Sequence, residues 1–371
     1  MRRSVILLWV AGCGFTVQGG TAIDASNDAG PMLDAYVPDT QLADAFAFDV
    51  NVDLCFGGSG AYQICLPTMP SAPLTLSGTI NTTTCAGGFV LAPSVTAPNL
   101  CVVSGTMVSA NGTVRVIGDR PLAIVATQDL TIAIGATLDA SSVSGGTRGA
   151  GANVGMCQAG TPAGGDGGGG GGGAGGSFKT RGGAGGGGMS SSGGASGGTV
   201  SSPFVRAGCR GQTGGGTKPG PGGDSGGSIY LVAGGTLQID GRINASGAGG
   251  RGATGSKSGG GGGGSGGMIT LHGTSIAVGT GARVWANGGG GGGGGSSNSA
   301  GANGSEASDP GDGGAGGVGD GDGGVGAFAV RSGDPGTSGG KGGGGGGGGG
   351  GVIENLSGGS ISSGVFSPPA T

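Results

Sequence analysis

Apolar residues alternate with small or polar ones in three matching stretches, residues 122–141, 229–246 and 269–287. Each begins with an alternating apolar run, turns at Gly or polar residues, and resumes with a second alternating pair. After a second turn comes a third short run that ends in Ala and a small polar residue. A period of two marks half-buried strands, so each stretch reads as three short β-strands. Aligning the copies puts Leu122, Ile229 and Ile269 at one position and Ile124, Leu231 and Leu271 at a second. Ile132, Ile239 and Val278 share a third position, and Leu138, Ile243 and Val284 a fourth. Fainter copies run from Leu74 to Ile80 and from Val102 to Ile117, and a degenerate one closes the chain from Val352 to Ile361.

Three short strands cannot bury an aliphatic stripe alone, so the copies must stack on one another. The expected fold is therefore all-β: a parallel β-helix or solenoid-like stack with about 4.8 Å between successive layers. A β-sandwich built from the same strands is the alternative. Tandem copies with aligned turns, and few Asn-Gly hairpin signals, favour the stack.

A second texture interrupts the first. Uninterrupted glycine occupies Gly167–Gly173, Gly259–Gly264, Gly288–Gly295 and Gly342–Gly351, each after the small polar residue that ends a strand unit. The Gly-rich insertions cover about residues 143–227, 247–267 and 288–351 of a domain spanning 55–371. Ordering a glycine costs roughly 0.5–1 kcal/mol more than ordering an alanine. These runs are therefore either unfolded loops or segments that gain hydrogen bonds in return. The second option resembles the polyglycine II bundles of Gly-rich receptor ectodomains, phage adhesin tips and Gly-rich antifreeze proteins. There, left-handed helices of three residues per turn, lacking internal hydrogen bonds, pair with neighbouring chains. Phe178, Phe204 and Phe328 would serve to plug such a bundle or an adjoining core, and flat arrays of exposed backbone amides would suit contact with glycans or other cells.

Composition narrows the class. The chain holds 108 Gly among 371 residues but only 16 Pro, with no Gly-X-Y period, which excludes collagen. With 34% hydrophobic and 10% charged residues it lacks the signature of a disordered polymer. A formal charge of −4 leaves no basic footprint for nucleic acid.

The N-terminus carries an address. Arg2 and Arg3 precede the apolar run from Val5 to Val10, which ends in Ala11-Gly12-Cys13. The run is too short to span a bilayer, which takes about 20 residues. Val10-Ala11-Gly12-Cys13 resembles the lipobox of bacterial lipoprotein precursors. That resemblance implies cleavage of a 1–12 signal peptide and acylation of Cys13, with an ordinary signal peptide as the alternative. Arg2-Arg3 hints at twin-arginine export, but the remainder of that motif is missing. Gly14 stands where the family's inner-membrane retention signal has Asp, which implies outer-membrane sorting.

Residues 13–54 contain Asp24, Asp28, Asp34, Asp39, Asp44, Asp49 and Asp53 and no Lys or Arg. A one-sign segment repels itself and reads as an acidic, disordered tether. With Cys13 assigned to lipid, Cys55, Cys65, Cys85, Cys101, Cys157 and Cys209 remain as disulfide candidates, suited to an oxidising compartment. Of the possible connectivities, pairing in sequence order closes each loop at the least chain entropy. No Cys-x-x-Cys spacing suggests zinc.

The lipobox, the Asp-rich tether, the Cys-bearing entry region, the strand at 119–126 and the strand-plus-polyglycine body together resemble Gly-rich surface lipoproteins of myxobacterial type. The resemblance covers most of the chain. It implies a lipid-anchored, cell-surface location and a β-helix-like architecture, and brings no activity with it.

Several fragments invite a catalytic reading. Gly223-Asp224-Ser225-Gly226-Gly227 matches the nucleophile segment of chymotrypsin-like proteases, whose serine needs a histidine base. The only histidine, His272, follows the serine rather than preceding it and reads as an outward surface residue. Gly340-Lys341 fails as a phosphate loop, with Pro335 and Gly342 at the positions of its first Gly and its Ser or Thr. Asp309, Asp312, Asp320 and Asp322 are weak Ca²⁺ candidates resembling the turns of β-roll toxins, without the nonapeptide spacing. Arg242 and Arg283 align on successive units, as basic side chains do in β-helical polysaccharide lyases.

The combined expectation is a non-enzymatic, outer-membrane protein with no cofactor. Its partners are the membrane, through the N-terminal lipid, and a glycan or cell-surface ligand, with no nucleic acid. A carbohydrate-active enzyme and an ice-binding protein are the alternatives.

Overall fold

The computed structural model describes residues 54–153, 155–361 and 363–371. The expected signal peptide at 1–12, the expected lipid site Cys13 and the acidic segment up to residue 53 lie outside the described residues. The described chain opens with strands β1 (Cys55–Gly57) and β2 (Gln63–Cys65), an antiparallel pair joined through the 3-10 turn Gly60–Tyr62. Four longer or peripheral strands follow: β3 (Leu74–Asn81), β4 (Phe89–Leu91), β5 (Leu100–Gly105) and β6 (Val108–Ile117). The three repeats supply β7 (Leu122–Ala126), β8 (Leu130–Ile132) and β9 (Thr137–Asp139), then β10 (Ser228–Ala233), β11 (Thr236–Ile239) and β12 (Arg242–Asn244). The third gives β13 (Met268–His272), β14 (Ser275–Val278) and β15 (Arg283–Trp285). The chain closes with β16 (Val352–Asn355) and β17 (Val365–Ser367).

The protein is all-β, with parallel ladders joining equivalent strands of successive repeats. One sheet runs β16-β13-β10-β7-β5-β4, with only β4 antiparallel. The other contains two ladders, β14-β11-β8 and β9-β12-β15-β17, bridged by β6. Val108–Ala110 of β6 pair with β8 and Thr113–Arg115 with β9, while β3 pairs with β6 along its other edge. Registers match the sequence columns. Ile229 pairs with Leu122 and Ile269, and Leu231 with Ile124 and Leu271. Ile239 stands between Ile132 and Val278, and Ile243 between Leu138 and Val284. All but the half-buried Val278 are fully buried, in one cluster. The final copy departs from expectation: its last strand is Val365–Ser367, beyond Ile361. The longer connection bends at Gly358 and Gly364, whose φ angles are +71° and +82°.

The six-stranded sheet is buried on both faces, which explains why Leu122–Ala126 and Ser228–Ala233 are buried at every position. One set of side chains enters the central cluster. Leu100, Val102, Ala123, Val125, Tyr230 and Val232 face the other way, under Ile64 and Leu66 of the entry segment. Tyr62 and Tyr230 meet edge to face at 6.1 Å. The Tyr62 hydroxyl lies 2.7 Å from the Ser202 carbonyl and 2.8 Å from the Glu354 carboxylate. Burial, and then Glu354, push its pKa upward.

Disulfides join Cys55 to Cys65, Cys85 to Cys101 and Cys157 to Cys209, in sequence order.

The glycine runs are ordered and hydrogen-bonded. Gly173 N–H donates to Gly260 O, Gly260 to Gly343 O and Gly343 to Gly170 O, each at 2.9 Å. The cycle repeats three residues on, through Gly176, Gly263, Gly346 and Gly173, so three parallel segments close on one another. The remaining amides point elsewhere. Within the last run, Gly344 and Gly347 donate to Thr337 and Asp334, and Gly345 and Gly348 to Gly292 and Gly289. Each residue of a triplet thus serves a different neighbour. None of the glycines in the four long runs has a positive φ. Side chains are excluded because the gaps between segments are filled by backbone: a Cβ on Gly260 would sit 2.0 Å from Gly292 O, and one on Gly263 would sit 2.0 Å from Gly289 O.

Candidate functional site

The lattice determines which surface is available. Apart from Gly167 and Gly168 at the start of the first run, its glycines are buried and their amides bond within the lattice, so the expected flat arrays of free amides are absent from the interior of the runs. What faces outward is the set of turns at their far ends. Lys218 N–H donates to Ser258 Oγ, Lys257 Nζ to Gly167 O, and Gly170 N–H to Lys341 O, which brings three of the four lysines into adjoining turns. Asp166 ties its own turn to a neighbouring one. Asp166 Oδ1 accepts from the amides of Gly168 and Gly169 and Oδ2 from the Ser190 hydroxyl. The Ser190 bond, followed by those amides, holds the Asp166 pKa below its ordinary value.

The catalytic fragments do not assemble. Ser225 is buried and its hydroxyl accepts the Asn153 amide, while the Asp224 carboxylate is paired with Arg148 and Arg210 at 3.2 and 3.4 Å. Met268 pairs with Ser228 and His272 with Val232, so His272 lies at the far end of the strands from Ser225. At about 3.3 Å per residue, the step from Met268 to His272 alone is about 13 Å. Gly340-Lys341 is also no phosphate loop: the amides of Lys341 and Gly342 both donate to Asp320 Oδ2.

Among the described residues no three His, Cys, Asp or Glu side chains gather as metal ligands. Asp309 is bound to Arg283, Asp322 Oδ1 accepts the Gly319 amide, and Asp312 contributes its backbone carbonyl to Asn287. Arg242 and Arg283 do stand side by side. A groove of about 480 Å³ passes Arg242, Asp240 and the turns at 134–135 and 279–281. Arg283, however, is turned to Asp309 and fastens the last insertion to β15.

His272 corrects another expectation. It is half-buried at the end of β13 and its Nδ1 is buried without a hydrogen-bond partner. Desolvation lowers its pKa from 6.5, so the fold favours the neutral ring. A histidine depressed on folding contributes stability that is present above pH 6.5 and lost as pH falls toward the folded-state value. Thermal midpoints should therefore drop on acidification through this window, and His272→Gln should flatten the decline. Identical pH profiles for the two proteins would remove the assignment.

Two features leave little trace in the sequence. One is the Tyr62–Tyr230–Glu354 group, whose members are separated by more than a hundred residues. The other is Arg206, fully buried beside Cys157–Cys209. Its only signal is a charge set among the apolar and small residues from Phe204 to Cys209.

No helix among the described residues is long and apolar enough to cross a membrane. No protein-family model, curated protein or solved structure matches the chain.

Proposed function

We propose that this is a lipid-anchored protein of the outer membrane, exposed at the cell surface, in which a β-solenoid carries a polyglycine II bundle. Its role is structural, adhesive or in recognition, without catalysis. The observation that carries this reading is the three-way hydrogen bonding of the glycine segments, fastened at their near ends to stacked parallel strands. Such a body holds its outer turns in a constant arrangement, as a surface display requires. The lipobox at Cys13 supplies the anchor and the acidic segment before Cys55 the spacer.

The test begins with the anchor. Expressed whole in a diderm bacterium, the protein should take up labelled palmitate, sediment with outer membranes and be reached by antibody on intact cells. Cys13→Ala should lose the label and the sedimentation. If Cys13→Ala keeps both, the anchor is misplaced. Cells displaying the protein are further expected to retain glycans or other cells above vector controls. Retention equal to the control leaves the structural role alone.

A further inference from the structure

Arg206 is 1% exposed and has the largest fully buried side chain among the described residues, yet no carboxylate pairs with it there. Its Nε donates to Ala207 O at 3.2 Å and its Nη1 to Met156 O at 3.3 Å. Nη2 faces Gly155 O at 3.4 Å and both sulfurs of one disulfide, Cys157 Sγ at 3.5 Å and Cys209 Sγ at 3.8 Å. The guanidinium also lies 5.3 Å from the centre of the Phe178 ring. Carbonyls and a ring soften the burial of a cation, but they supply no counter-charge.

The two cysteines differ in setting. Cys209 is 3% exposed and fixed to the lattice, its amide donating to Ser265 Oγ at 2.7 Å and its carbonyl accepting from Ser265 N–H at 3.0 Å. Cys157 lies in the exposed segment 155–159. A cleft of about 400 Å³ opens beside the bond, lined by Met156, Gln158, Arg210 and Gln212 with the two cysteines. Among the described residues, no guanidinium or ammonium donates to the sulfurs of Cys55–Cys65 or Cys85–Cys101.

We propose that Cys157–Cys209 is a thiol–disulfide exchange site for a low-molecular-weight thiol, with Arg206 as the positioning cation for the departing thiolate. The incoming thiolate attacks Cys157 Sγ from the cleft. A bond forms between the two sulfurs as Sγ157–Sγ209 breaks, and the electron pair leaves on Cys209 Sγ, facing Arg206. A nearby positive charge lowers a thiol's pKa, and a less basic sulfur departs faster. A second thiolate attacks the incoming thiol's sulfur in the mixed disulfide, releasing a small-molecule disulfide and leaving Cys157 as thiolate. Two thiols are thereby oxidised, the protein disulfide is reduced, and the two thiol protons pass to the cysteines or to solvent. The surrounding glycine lattice keeps its own hydrogen bonds, so the exchange does not require unfolding. This site does not depend on the anchor or on any display role.

The full chain, purified in detergent, is exposed to glutathione, quenched with a maleimide and mapped by peptide mass. Expected are labelling of Cys157 and Cys209 at least about tenfold faster than of the other four cysteines, and a glutathione adduct on Cys157. Arg206→Gln should slow that exchange about tenfold or more and leave the other two disulfides as they were. Equal reduction of all three disulfides, or an unchanged rate in a folded Arg206→Gln protein, overturns the proposal. Should that variant not fold, the reduced wild type decides through the pH dependence of Cys209 alkylation. A midpoint about one unit or more below the ordinary thiol value near 8.5 supports the site, and any higher midpoint overturns it.

Discussion

Gly345→Val is expected to collapse the glycine lattice. A Cβ at that position would sit 2.0 Å from the Gly261 carbonyl oxygen, 2.5 Å from its carbon and 2.9 Å from Gly262 N. Those atoms are backbone and cannot swing aside as a side chain would. Gly261 N–H is itself bonded to Arg251 O, and its carbonyl accepts from Gly292. Relief requires separating segments that meet along their whole length, so the expected loss exceeds about 4 kcal/mol, beyond most single substitutions. That is comparable to the entire stability of many domains, about 5–15 kcal/mol. Gly281→Ala is the control. A Cβ there meets nothing within 4 Å, and the change should stay within about 0.5 kcal/mol. Thermal unfolding followed by circular dichroism separates the two, and equal midpoints would refute the packing argument.

Leu231→Asp should prevent folding by attacking the other half of the architecture. Leu231 is fully buried in register between Ile124 and Leu271, within a cluster that includes all four aligned columns. Truncation in Leu231→Ala leaves a cavity and should cost about 2–5 kcal/mol. The carboxylate adds the penalty of an unpaired charge among hydrocarbon, which drives it to protonate or the strand to leave. On the neighbouring strand, Gln238→Ala alters a side chain only partly buried and should stay within about 0.5 kcal/mol. Denaturant midpoints and protease resistance of the three proteins give the ranking. A Leu231→Asp protein as resistant as the parent would show that the columns do not support the sheets.

The aliphatic ladders are legible in the sequence because period-two alternation is written in side chains, and copies at matching offsets can be laid on one another from residue types alone. Sequence-order disulfides follow from loop length in the same way. The His272 reading failed where position in the repeat gave no measure of what covers the strand end. The expectation of free amides failed because polyglycine lattices satisfy their amides internally. Arg206 is not legible in the sequence because its partners are carbonyl oxygens and sulfurs, which carry no opposite charge to pair with it by residue type.

By itself the sequence determined the strands of the three repeats, their stacking columns and turns, and the cysteines available to pair, since each depends on residue type at a spacing. Only the tertiary structure decided which glycine bonds to which, which end of each run faces outward, and which disulfide lies against a buried cation. A glycine has no side chain to distinguish it from the next. The partner of each amide is therefore chosen by where the stacked strands place the segments, and that choice exists only once they are assembled.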